Sequence, residues 1–165
     1  MTTPQIIWFR QDLRLSDQAA VRAAAAAGPV LAVYVVDEES EGLRPMGAAS
    51  QWWLHHSLAS LDADLQALGA ALLLLRGRSA DVLAKLAQET GAAAIHALRH
   101  TEPWWGAIEA KVPRLVLHEG ITLVPPGLLR TKTGGPFRVF TPFWRAHTAF
   151  GSPPSPQAAP THLAF

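Results

Sequence analysis

Five short apolar runs, each ending in charged or polar residues, alternate with stretches whose apolar positions recur at three- and four-residue spacing. The first run, Ile6-Ile7-Trp8-Phe9, stops at Arg10, and a polar loop continues to Asp17. A buried strand that delivers a loop to one edge of a sheet and then feeds a helix has this pattern. Ser16 is expected to cap that helix, with Asp17 in its first turn. The alanine-rich run Ala19 to Ala27 forms its body, and Gly28-Pro29 stops it. Val30 to Val36 is continuous and β-branched, as a strand buried on both faces requires, and turns polar at Asp37-Glu38-Glu39-Ser40-Glu41-Gly42.

A long helix is predicted from Ala48 to Leu68, with Leu54, Leu58, Leu61, Leu65 and Leu68 forming one stripe towards the sheet. Ala71 to Leu75 is a third buried strand. Ser79 is expected to cap a helix that turns Val82, Leu83 and Leu86 inward and ends at Gly91. Ala92 to Leu98 is a fourth strand, Pro103 to Lys111 a short helix, and Leu115 to His118 a fifth strand. Beyond Gly120 the chain is turn-rich around Leu123-Val124-Pro125-Pro126-Gly127 and Thr131 to Pro136. Thr141 is expected to cap a last helix with Pro142 at its first position. Gly151 to Pro160 reads as a linker or disordered end.

Strands alternating with helical crossovers predict an α/β fold, a doubly wound five-stranded parallel sheet with helices on both faces. In such sheets ligands bind outside the carboxyl ends of the strands, where strand order reverses. The polar loops converge on that edge: Arg10 to Asp12, Asp37, and His100 to Trp105. Taken alone, Arg10, Asp12 and Arg14 read as solvated loop charges with a local ion pair. Their position makes them candidates.

Composition narrows the chemistry. At 165 residues the chain is about one domain. Its formal net charge is +1, from 14 basic and 13 acidic residues, and no like-charge run marks an autonomous nucleic-acid or membrane-surface binder. The absence of cysteine excludes disulfides, thiolate metal sites and a cysteine nucleophile. No signal peptide opens the chain and no apolar run approaches the roughly 20 residues a bilayer span needs, so a cytoplasmic protein is the expectation. There is no phosphate-binding glycine loop. The seven histidines show no metal-ligand spacing, and Ser57 has no nucleophile elbow. His55 and His56 should face solvent, His96 should be a hydrogen-bonded core histidine, and His100 is the one at the proposed edge. Trp52 and Trp53 cannot face the same way, so one should pack inward and the other cover an interface or pocket. Trp104 and Trp105 follow a strand end, where an indole can stack on a flat ring or anchor the helix.

Trp8 to Asp17, Gly47 to Leu58, Glu102-Pro103-Trp104 and Thr131 to Trp144 together resemble the amino-terminal domain of the DNA photolyase/cryptochrome family. The resemblance implies a flavodoxin-like domain that holds an antenna chromophore (FMN or FAD, a deazaflavin, or a reduced folate). That pigment passes excitation energy to a reduced FAD, which donates an electron to split a cyclobutane pyrimidine dimer. FAD and damaged DNA bind a larger carboxyl-terminal helical domain. The implied organisation is an α/β domain over 1–130, a connecting segment over 131–150 and a Pro/Ala-rich linker over 151–165, stopping before the helical domain. A chain so truncated should have no photo-lyase activity and no catalytic residue of its own. It would meet DNA only through the missing domain.

Carried onto this sequence, the implied antenna contacts are Phe9, Arg10, Asp37, Gln51, His100, Glu102 and Trp105. Folate-using members follow the glutamate with an Asn-Glu pair, where this chain has Trp104 and Trp105. Indole only donates, which ranks folate behind the flavins. Deazaflavin-using members place an arginine and an aspartate where Ser50 or Gln51 and His100 stand here. Self-association through the aromatic segment Phe137 to Phe150 is a further expectation. The rival readings are a stand-alone nucleotide or flavin module of electron-transfer-flavoprotein or stress-protein type, and a non-functional remnant.

Overall fold

In the computed structural model, residues 3–125 and 127–165 are described; Met1 and Thr2 of the opening and Pro126 of the turn-rich stretch lie outside them. The five apolar runs form β1 (Gln5–Phe9), β2 (Val30–Val36), β3 (Leu72–Arg76), β4 (Ala94–Leu98) and β5 (Leu115–His118). The helices are α1 (Ala19–Ala27), α2 (Ala48–Ala67), α3 (Ser79–Thr90), α4 (Pro103–Glu109) and α5 (Phe140–Phe150). The strands form one parallel sheet in the order β3-β2-β1-β4-β5. This is the doubly wound arrangement expected, and its order reverses between β1 and β4.

Each face of the sheet has its own core. Ile6, Trp8, Val33, Val35, Ile95 and Ala97 point to the face covered by α3 and α4, through Leu83, Ala87, Trp105 and Ile108. Ile7, Phe9, Ala32 and Tyr34 point the other way, onto Val21 and Ala24 of α1 and Leu58, Leu61 and Leu65 of α2. β1 is buried throughout because it is the central strand. β3 and β5 are edges, so Leu74 and Val116 are exposed rather than buried as a third and fifth core strand would be.

The helix starts differ from expectation in an instructive way. Gln18, not Ser16, caps α1: its side-chain oxygen accepts from Ala20 N–H at 3.1 Å, while Asp17 lies outside the helix with φ of 50°. Ser79 is already helical, and the carboxylate that receives its backbone N–H belongs to Asp37, at 2.8 Å. α5 begins at Phe140 after Val139, one residue before Thr141. A cap needs only a correctly placed acceptor, and two of these three starts take theirs from elsewhere or lack one. Trp52 and Trp53 also depart from expectation. Both are bare, at 62% and 70% exposure, because the leucine stripe alone reaches the sheet.

The tail after α5 has no regular secondary structure, yet it is anchored to the α1/α2 face. Leu163 is buried in that core, its N–H donates to Leu68 O, and Ala164 O accepts from Val30 N–H. Asp17 and Gln157 exchange hydrogen bonds in both directions. α5 itself buries no residue.

Candidate functional site

At the switch point, the loop after β1 turns Arg10 back into the protein. Its guanidinium is sandwiched between two indoles, with Cζ 4.6 Å from the ring centroid of Trp8 and 4.6 Å from that of Trp105. Nη1 donates to Glu109 at 2.6 Å, and Nη2 donates to Leu98 O at the end of β4. Arg10 is only 3% exposed, so it is a structural plug joining β1, β4 and α4. Burial pulls its pKa below the ordinary arginine value, against the raising influence of Glu109, Asp12 and Glu102. Asp12, expected as a solvated charge, is buried too. It accepts from Arg10 N–H at 3.0 Å and Gln18 Nε2 at 2.6 Å. Burial raises its pKa, but His100 and these two donors outweigh that and the net shift is downward. Arg14 ties the same loop to Gly120 O at 2.9 Å.

With the crevice between β1 and β4 filled, the open space lies beside it. A cavity of about 950 Å³ is bounded by the ends of β1, β2 and β3, the loop after β2, the first turns of α2 and the start of α4. That is at the upper end of the roughly 300–1,000 Å³ usual for ligand pockets. Trp104 supplies indole surface, with the buried Trp105 and Trp8 behind it, and Leu43, Met46 and Leu54 supply aliphatic surface. Gln11, Glu38, Arg44 and Gln51 supply polar groups at its rim. The loop after β2 closes one side because Gly42, at φ of +86°, brings its backbone against Trp104; an added Cβ would lie 3.1 Å from that residue's Cβ.

Asp37 makes that wall rigid. One oxygen accepts from Glu39 N–H and Ser40 N–H; the other accepts from Ser40 Oγ, Ser79 N–H and Ser79 Oγ, all at 2.6–3.1 Å. Burial pushes its pKa up, and the donors of Ser40 and Ser79 more than reverse this. Its carboxylate is therefore spent on holding the loop to α3. Nearby, Arg76 pairs with Glu38 at 2.8 Å, both partly in solvent.

Of the seven candidates, Arg10, Asp37, Gln51 and Trp105 border this cavity. Phe9 points into the α1/α2 core instead, because strand alternation puts it on the face opposite Trp8. His100 and Glu102 lie behind Trp105. His100 Nε2 is 3.5 Å from Asp12 Oδ1, its Nδ1 is 3.6 Å from Glu102 Oε2, and its ring is 5.8 Å from the Trp105 ring. Sequence reasoning passed over Glu38, Arg44 and Met46. The one signal for them was their place after β2, and Asp37 alone was drawn from that loop.

A doubly wound α/β domain with an indole-walled cavity at the carboxyl edge of its sheet is the class of protein these features define. The family model of DNA photolyase matches residues 5–161, and the chain belongs to that family. It is 42% identical to the deoxyribodipyrimidine photo-lyase of Agrobacterium fabrum, across 98% of this chain and 35% of that protein. It is 36% identical to cryptochrome-1 of Arabidopsis thaliana, across 84% of this chain and 22% of that one. A bacterial class III photolyase from Agrobacterium tumefaciens superimposes with a TM-score of 0.90 at 39% identity, covering 99% of this chain and 35% of the other. The chain thus spans about a third or less of the relatives it matches, and corresponds to their α/β domain.

Proposed function

We propose that this chain is the light-harvesting domain of a photolyase or cryptochrome, with the antenna pigment in the cavity beside Arg10. The observation that carries this reading is the cavity itself. It is large enough for a tricyclic or pteridine ring, bordered by the partly exposed indole of Trp104 and edged by Glu38, Arg44 and Gln51. A bound FMN, FAD, deazaflavin or reduced folate would supply absorption of near-ultraviolet or blue light. The chain's own residues supply the holding. Trp104 offers a ring face, Gln11 and Gln51 can donate or accept, and Arg44 faces an anionic tail. Glu38 offers the carboxylate acceptor that the Trp104-Trp105 pair cannot, so folate stands level with the flavins.

Transfer of excitation to FAD, and electron donation to a pyrimidine dimer, belong in this reading to a carboxyl-terminal helical domain. Damaged DNA would be met there. The bare aromatic helix α5 supports self-association of the isolated domain as a second element of the proposal. The reading is tested by titrating the purified chain with FMN, a deazaflavin and methenyltetrahydrofolate. Retention of one pigment per chain, lost in Trp104→Ala or Gln51→Ala, supports it; no retention of any of them rejects it.

A further inference from the structure

Helix α5 presents an unpartnered face, and the charge around it selects an occupant. The helix buries no residue. Phe140, Trp144 and His147 form a ladder along one side, with successive ring planes 15° and 5° apart and centroids 6.0 and 5.5 Å apart. Phe140, Trp144 and Phe150 are all exposed, and bare aromatic surface of this extent marks an interaction site. From Gly120 to Phe165 the chain carries Arg130, Lys132, Arg138 and Arg145 and no Asp or Glu, a formal charge of +4. Residues 1–119 carry 10 basic and 13 acidic residues, a formal charge of −3. Arg138 and Arg145 stand on either side of the first ladder rungs, exposed and with no side-chain partner among the described residues.

We infer that α5 of one copy docks onto the acidic loop after β2 of a second copy, with Trp144 as its anchor. This deepens the self-association reading and rests on it. Pairing α5 with α5 sets cation against cation with no carboxylate between them, and like charges across an interface oppose association. The complementary charge lies elsewhere on the chain. Asp37-Glu38-Glu39-Ser40-Glu41 is its densest acidic stretch. Asp37 is taken up by its five donors and Glu38 pairs with Arg76. Glu39 and Glu41 stay exposed, with no side-chain partner among the described residues. The loop's one cation, Arg44, lines the cavity. Pro45 and Met46, exposed at the end of the same loop, give Trp144 an apolar counterpart. In this docking Arg138 and Arg145 face Glu39 and Glu41. The contact joins two different patches, so a charge reversed on one is repaired only by a reversal on the other.

Sedimentation equilibrium of the full chain tests this with two charge-reversed variants. Glu39→Lys/Glu41→Lys and Arg138→Glu/Arg145→Glu should each self-associate about tenfold more weakly than the unaltered chain. Mixing the two variants in equal amounts should restore association, because each supplies the charge the other has lost. Added salt that shortens the Debye length from about 10 Å to about 3 Å should weaken the unaltered chain by a similar factor. All four substituted side chains are exposed, and circular dichroism checks that each variant keeps its fold. Undiminished association of Glu39→Lys/Glu41→Lys would assign α5 to another α5 and overturn this docking while sparing self-association. A monomer at every concentration would overturn both, and retention of a fluorescent oligonucleotide by that monomer would give α5 to a polyanion instead.

Discussion

Arg10 shows how one side chain can be read in two ways. In sequence it is a charge at the end of a strand, on the edge where ligands bind. In the fold it is 3% exposed, sandwiched by two indoles and paired with Glu109. A buried charge is tolerated only while its partner stays. Arg10→Met alone should therefore cost about 3–5 kcal/mol, because it strands Glu109. The double variant with Glu109→Leu should recover most of that loss, measured by urea denaturation. Asp37 is a second case. Five donors converge on it from the β2 loop and α3. Asp37→Ala should loosen the cavity wall, weakening pigment binding more than Asp37→Asn, which keeps acceptor capacity on one oxygen; isothermal titration of both variants with the retained pigment separates them.

At the scale of elements, β1, β4 and β5 are tied by a chain of polar groups. His96 Nε2 lies 3.2 Å from Gln5 Oε1, and His96 Nδ1 lies 2.9 Å from His118 Nε2. Gln5 Oε1 can only accept, so His96 donates there and accepts from His118. Burial lowers both histidine pKa values, and His118 adds to the lowering at His96. Each is then harder to protonate when folded than when unfolded. Their contribution to stability is complete above about pH 6.5 and is lost as pH falls from there through the folded-state values. The melting temperature should accordingly drop between pH 7 and pH 5, and drop less in His96→Gln; parallel curves would refute the link.

The tail is another element whose role depends on contacts. Leu163 sits in the core at 1% exposure, so Leu163→Ala should cost about 2–5 kcal/mol in a chemical melt. These two cases mark what was legible in the chain. Strand positions follow from local runs such as Val30 to Val36, and the doubly wound class of sheet from right-handed crossovers; the strand order itself came only with the structure. The capping of α3 by Asp37, the burial of Arg10 and the docking of Leu163 are contacts between distant residues, for which no local pattern exists. The candidate site was legible as an edge. Its true opening, beside the switch point rather than in it, depended on where the Arg10 guanidinium turned.

On the whole molecule, charge and bare aromatic surface are segregated. Every acidic residue lies at or before Glu119, whereas Arg130, Lys132, Arg138 and Arg145 follow it. The basic part carries Phe140, Trp144 and Phe150, all at least half exposed. Phe140 stacks on Trp144 and Trp144 on His147, at 6.0 and 5.5 Å. Such a helix presents anchors at four- and three-residue spacing, as a helix that docks into a groove does. Light scattering should show concentration-dependent association of the isolated domain that Trp144→Glu abolishes; a monomer at every concentration would contradict it.

The central claim is that the cavity beside Arg10 holds a pigment. The most direct measurement is an absorption spectrum of the purified chain after incubation with FMN, deazaflavin and methenyltetrahydrofolate and removal of free pigment. A near-ultraviolet or blue band at about one pigment per chain, diminished by Trp104→Ala, is the predicted result. A colourless protein after all three incubations would contradict the claim.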